Sequence, residues 1–86
     1  MKIPKKVKIS GLIYDVVFEE RESDLGCVQY ENLKIILDSS AGPEKQAQTF
    51  LHEILHICNG ALEEAVINPM AQVLFGTLKD NKLRFE

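Results

Sequence analysis

The chain has no tryptophan, only two histidines and two cysteines among its 86 residues, and no apolar run approaching the length of a membrane span. Two cysteines cannot build the disulfide framework of a small secreted scaffold, and Cys27 and Cys58 have no zinc-ribbon or redox-pair spacing. They read as two small, buried, free thiols in a reducing cytoplasm. Positive charge is also short, with ten Lys and Arg against thirteen Asp and Glu and a net charge of −3. Phosphate backbones repel such a surface, so nucleic acid is not an expected partner. The basic cluster Lys2, Lys5, Lys6 and Lys8 reads as a solvated face. No apolar segment of suitable length follows it, so it is not the start of a signal peptide, and no membrane partner is expected. Low-complexity tracts and internal repeats are missing too. What remains is an ordinary globular mix, 45% hydrophobic and 27% charged, sufficient for one small domain over residues 1–86 with a thin stability margin.

Residues 1–38 read as strands. Val7 and Ile9 share a face in KVKIS, and Gly11 punctuates it. Leu12, Tyr14, Val16 and Phe18 then alternate against Ile13, Asp15 and Val17, the period of a half-buried strand. CVQY and LKIILD are two further β-rich runs, and Glu31-Asn32 between them predicts a two-residue hairpin. Leu33, Ile35 and Leu37 would share one face. SSAGP ends the strand pattern, and Pro43 suits the first turn of a helix running to Cys58. Asn59-Gly60 is the expected stop, with Gly60 free to take positive φ. A second helix is expected over about 62–79. Asn68-Pro69 should kink or split it, or cap a fresh helix there. The tail DNKLRFE reads as short coil. The fold class is α+β: a small, mostly antiparallel sheet followed by two packed helices.

Both histidines lie in FLHEILHICNG, residues 50–60. Wound at about 100° per residue from His52, His56 falls at about 40° and Glu53 at about 100°. Thr49, Lys45 and Asn59 share that polar arc, while Phe50, Leu51, Ile54, Leu55, Ile57 and Cys58 occupy the other side. A helix apolar over most of its circumference is buried, and each unpartnered polar group on it costs about 1–3 kcal/mol. One metal ion partners both imidazoles, since side chains at i and i+4 project side by side and zinc takes imidazole nitrogen at about 2.0–2.1 Å. Glu53 lies too far round to ligate the same ion, but it is placed to take a proton from a water there. This is the H-E-x-x-H pattern, His52-Glu53-Ile54-Leu55-His56. From composition, a chance match in 86 residues is of order one in a few hundred.

A catalytic zinc site ordinarily has three protein ligands and an open position. Cys58 points away from His56, so the third ligand falls to the pair Glu63-Glu64 beyond the Gly60 turn. The structural alternative is that both acids merely favour the positive end of the second helix.

TFLHEILH followed by LEEAVINPMAQVL resembles the ImmA/IrrE-type zinc metallopeptidases, especially their short phage-encoded relatives. In that gluzincin family H-E-x-x-H supplies two ligands and a glutamate on the next helix the third. The second motif, roughly E-x-x-A-N-x-F-A, falls here on Glu64, Ile67, Asn68, Met70 and Ala71, which implies Glu64 over Glu63. GCVQYENLKIILD resembles the family's sheet leading into the helix. Pro69 departs from the family by interrupting a helix that is usually continuous. The chain also stops soon after it, as a minimal catalytic core would. The resemblance implies zinc held by His52, His56 and Glu64, with Glu53 as catalytic base. It also implies a peptide or protein substrate, and a location in the cytoplasm of a bacterial or phage-infected cell. For the oxyanion stabiliser nothing marks any one of Tyr14, Tyr30, Arg21 and Arg84, which stay level with zinc alone or a partner that completes the site. Two rival readings remain: a non-catalytic zinc-stabilised binding module, and a metal-free phage accessory interaction protein.

Overall fold

In the computed structural model, which describes residues 2–83, four strands precede two helices: β1 Lys6–Ile9, β2 Leu12–Glu19, β3 Gly26–Gln29, β4 Lys34–Asp38, α1 Pro43–Cys58 and α2 Glu64–Asp80. The α+β class is as expected. Tail residues 84–86, Arg84 among them, lie outside the described residues.

The sheet order is β1-β2-β4-β3. β1–β2 and β3–β4 are antiparallel, but the central pair β2–β4 is parallel, with Val16 opposite Ile35 and Phe18 opposite Leu37. The sheet is therefore mixed, and mostly antiparallel as expected, with two of its three pairings antiparallel. Periodicity assigns strands and faces but carries no information about strand order, so the parallel centre could not be read from it. The composition of β4 fits its central place: Ile35, Ile36, Leu37 and Asp38 are all buried, and Ile36 sits between Val17 and Cys27 on the face opposite Ile35.

The core lies between the other face and α1. Tyr14, Val16, Ile35, Leu37 and Phe50 form it, with Leu33, Val28, Ile54 and Ile57 packed at its margin. The expected alternation of β2 holds at its middle, while Leu12 and Phe18 at its ends are exposed.

The turns differ from expectation. The two-residue hairpin joins β1 to β2 through Ser10 and Gly11, with φ of 51° and 83°. Two successive positive φ values match the right-handed twist of the flanking strands. β3 and β4 are instead joined by the four residues Tyr30–Leu33, and Leu33 takes φ 52°. Glu31-Asn32 is only the middle of that loop; Asn32 Nδ2 donates to Gln29 Oε1 at 3.2 Å.

Asp38 pins the junction from β4 to α1. Its Oδ1 accepts from Ser40 Oγ at 2.7 Å, Ser40 N at 3.0 Å and Arg21 N at 3.3 Å, and its carbonyl accepts from Gln46 Nε2 at 3.0 Å. The Ser40 hydrogen bonds hold its carboxyl below the ordinary range. α1 then starts at Pro43 as expected. It ends because Asn59 turns extended at φ −154° and donates to the Leu55 carbonyl; Gly60 does not adopt positive φ. α2 runs unbroken through Pro69, so neither the split nor the fresh cap occurs. Pro69 is the sixth residue of α2 and removes a single hydrogen bond, to the Ala65 carbonyl, near its N-terminal end, a cost that packing of Ile67 and Ala71 offsets. Cys27 is half-buried and Cys58, at the end of α1, is exposed; both are free thiols, so burial holds only in part for one of them.

Candidate metal centre

Helix α1 lies between the sheet and α2. Phe50 and Leu51 are buried, Ile54, Leu55 and Ile57 half-buried. His52 and His56 project from the next face, with 17% and 21% of their side chains accessible. Their Nε2 atoms are 3.1 Å apart, and the rings meet edge-on at 61° with centroids 4.8 Å apart. Glu64, the first residue of α2, brings Oε1 to 2.5 Å from His56 Nε2 and Oε2 to 3.0 Å from His52 Nε2. Glu63 stands outside this cluster as the N-cap residue of α2.

This donor set fits a metal ion. Two nitrogens each about 2.05 Å from one ion, at the tetrahedral angle, lie about 3.3 Å apart, close to the observed separation. Three electron-pair donors drawn this close repel one another unless a cation or protons lie between them. His52, His56 and Glu64 are thus a group that could hold a metal ion.

Glu53 differs from its expected place. The helical wheel put it in the polar arc, yet it is 6% exposed, more buried than either histidine. It has no hydrogen bond or ion pair with a described residue, and no polar side-chain atom in the described chain is both fully buried and unsatisfied. Its carboxylate therefore keeps some opening, toward the cleft that it lines. Burial pushes its pKa up to about 7; the nearby His56 opposes that rise, and the Glu64 charge reinforces it.

The cleft has a volume of about 690 Å³. One wall is β3 with its flanks Asp24 and Tyr30, the floor is the His52–His56 face of α1, and the third side is Asn68 and Gln72 of α2. The spacing between α1 and β3 is set at Gly26. A Cβ there would stand 2.7 Å from the Ile36 carbonyl oxygen and 2.9 Å from Thr49 Cγ2. Only glycine lets the helix with both imidazoles lie so close to the edge strand. This contact left no trace in the sequence pattern.

The level candidates for an oxyanion stabiliser separate. Tyr14 is in the core. Arg21 is held by Asp24, at 2.8 and 3.1 Å, and by Cys27 Sγ at 3.3 Å. Tyr30 lines the cleft, its hydroxyl donating to the His56 carbonyl at 3.4 Å.

Among the described residues no helix is long and apolar enough to cross a membrane. Comparison with protein-family models, curated proteins and solved structures found no match for this chain.

Proposed function

We propose that this protein is a metal-dependent peptide hydrolase, with zinc held by His52, His56 and Glu64 and with Glu53 as the general base. The observation that carries the reading is the convergence of His52, His56 and Glu64 beside the buried carboxylate of Glu53, which shares a helix with both imidazoles. Two imidazoles and a carboxylate are a donor set suited to zinc. When bound, such an ion polarises a scissile carbonyl and acidifies water at its open position.

Glu53 would take the proton of the attacking water and return it to the leaving amine, from its place beside the imidazoles and lining the cleft. Tyr30 is a cleft-wall hydroxyl that can turn from the His56 carbonyl to the oxygen that gains charge. An extended peptide can add to the edge of β3. The Asp38 N–H to Leu25 carbonyl bond, 2.9 Å, sets odd-numbered residues of β3 toward β4. Val28 therefore turns its N–H and carbonyl to the open side. Gly26 turns its carbonyl outward too, while its N–H hydrogen-bonds to Asp24.

Elemental analysis of the purified protein and peptide-library turnover by the parent and Glu53→Gln test the proposal together. About one zinc per chain in both is expected, with turnover lowered about 10²–10⁴-fold in the variant. A parent that binds no zinc, or turnover indifferent to Glu53, sinks the reading. A zinc-loaded parent that cuts nothing favours the zinc-stabilised binding module instead.

A further inference from the structure

The geometry points to Lys45 as a specificity-determining residue that selects peptides bearing a carboxylate about 10 Å from the bond to be cut. The inference rests on the hydrolase reading above. Lys45 lines the cleft on the same face of α1 as Thr49, His52 and His56. It precedes His52 by seven residues, which at about 1.5 Å per residue sets it about 10 Å along the helix from the nearer imidazole of the ion site. A bound peptide lying along β3 passes that point two to three residues from the reacting carbonyl.

The charges around the cleft make Lys45 stand out. Both carboxylate oxygens of Asp24 are engaged by Arg21, and Glu64 is engaged by the two imidazoles. Glu53 is the buried acid of the floor. Gln48, Thr49, Asn68 and Gln72 on the walls are uncharged. Lys45 is exposed and forms no ion pair with a described residue. It is thus an unmatched positive charge at one end of the cleft, and the matching ligand group is a carboxylate. An acidic side chain or the peptide's own C-terminus can supply it.

The test uses zinc-loaded full-length protein and fluorogenic peptides with one cleavable core. Each carries Glu, Gln or Lys two or three residues from the bond on either side, as free acid and as C-terminal amide. Peptides with a carboxylate at the right distance should be cut about two- to five-fold faster than their neutral counterparts, the scale of an exposed ion pair. Lys45→Met should erase that preference and Lys45→Glu should turn it toward lysine. Loss of preference on amidation assigns the carboxylate to the chain end; preference for Glu in the amides assigns it to a side chain. A Glu-to-Gln ratio that Lys45→Met leaves unchanged overturns the role of Lys45 while hydrolysis stands. If no peptide is cut, the same set is titrated onto the protein by fluorescence anisotropy. A Lys45-dependent preference in binding then keeps the carboxylate site and removes the hydrolase reading, whereas no preference overturns both.

Discussion

The sheet has two edges, and they are built in opposite ways. β1 carries Lys6 and Lys8, both exposed, with Lys6 paired to Asp15 at 3.2 Å. β3 carries Gly26, Cys27, Val28 and Gln29, without a charge, and borders the cleft holding the His–His–Glu cluster. An open row of backbone donors and acceptors invites another strand, and lysines along an edge discourage one. Lys6 and Lys8, read from the sequence as part of a solvated face, thus have a structural account. The difference shows how a small sheet can block one edge and leave the other available beside the His–His–Glu cluster.

The comparison is tested most strongly by charge. Glu64→Gln, facing the β3 cleft, should weaken zinc affinity by about 100-fold or more in competition with a chromophoric chelator, since loss of mere supporting groups already costs 10–100-fold. Glu63→Gln and Lys8→Gln should leave that affinity unchanged. Equal losses at positions 63 and 64 would break the assignment of the third ligand.

Glycine gives the next largest contrast. Gly26→Ala should destabilise by about 1–3 kcal/mol in urea unfolding, because the added methyl meets a carbonyl oxygen and the site helix. Gly11, in the β1–β2 turn, has open space around it but φ of 83°, so Gly11→Ala should cost about 1 kcal/mol through backbone strain alone. A harmless alanine at 26 would mean that the approach of α1 to β3 is not fixed there.

The metal-free protein should show Glu53 in its pH dependence. Burial raises this carboxyl from 4.5 to about 7, so the folded state holds its proton where the unfolded state has released it. Stability should therefore be highest below about pH 4.5 in this one contribution and fall as pH rises toward 7. Glu53→Gln should flatten that window and stabilise the apoprotein at pH 8 by about 1–2 kcal/mol, a value discounted for partial solvent access. Thermal unfolding from pH 4.5 to 8 with chelator present reads it directly. The smallest effect on stability belongs to β1. Replacing Lys6 and Lys8 with threonine should shift unfolding by less than about 0.5 kcal/mol, yet promote self-association in sedimentation velocity.

Much of this was legible beforehand. The alternation about Tyr14 and Val16, Pro43 at the start of α1 and the four-residue spacing of the imidazoles are local patterns, and local patterns follow from helix and strand geometry. Glu64 was named by its resemblance to a family motif rather than by spacing, and the carboxylate does approach both rings. The parallel β2–β4 pair, the four-residue loop at Tyr30–Leu33, the unbroken α2 and the exposed Cys58 were not legible. Each depends on what packs against the segment.

The sequence by itself determined the helix that presents His52 and His56 together, because the rise and turn of a helix fix which side chains are neighbours. Only the tertiary structure decided that Glu64 rather than Glu63 meets them, that Glu53 is desolvated, and that Gly26 admits the helix to the open strand. Those are distances between segments far apart in the chain, set by close packing rather than by any periodicity within one element.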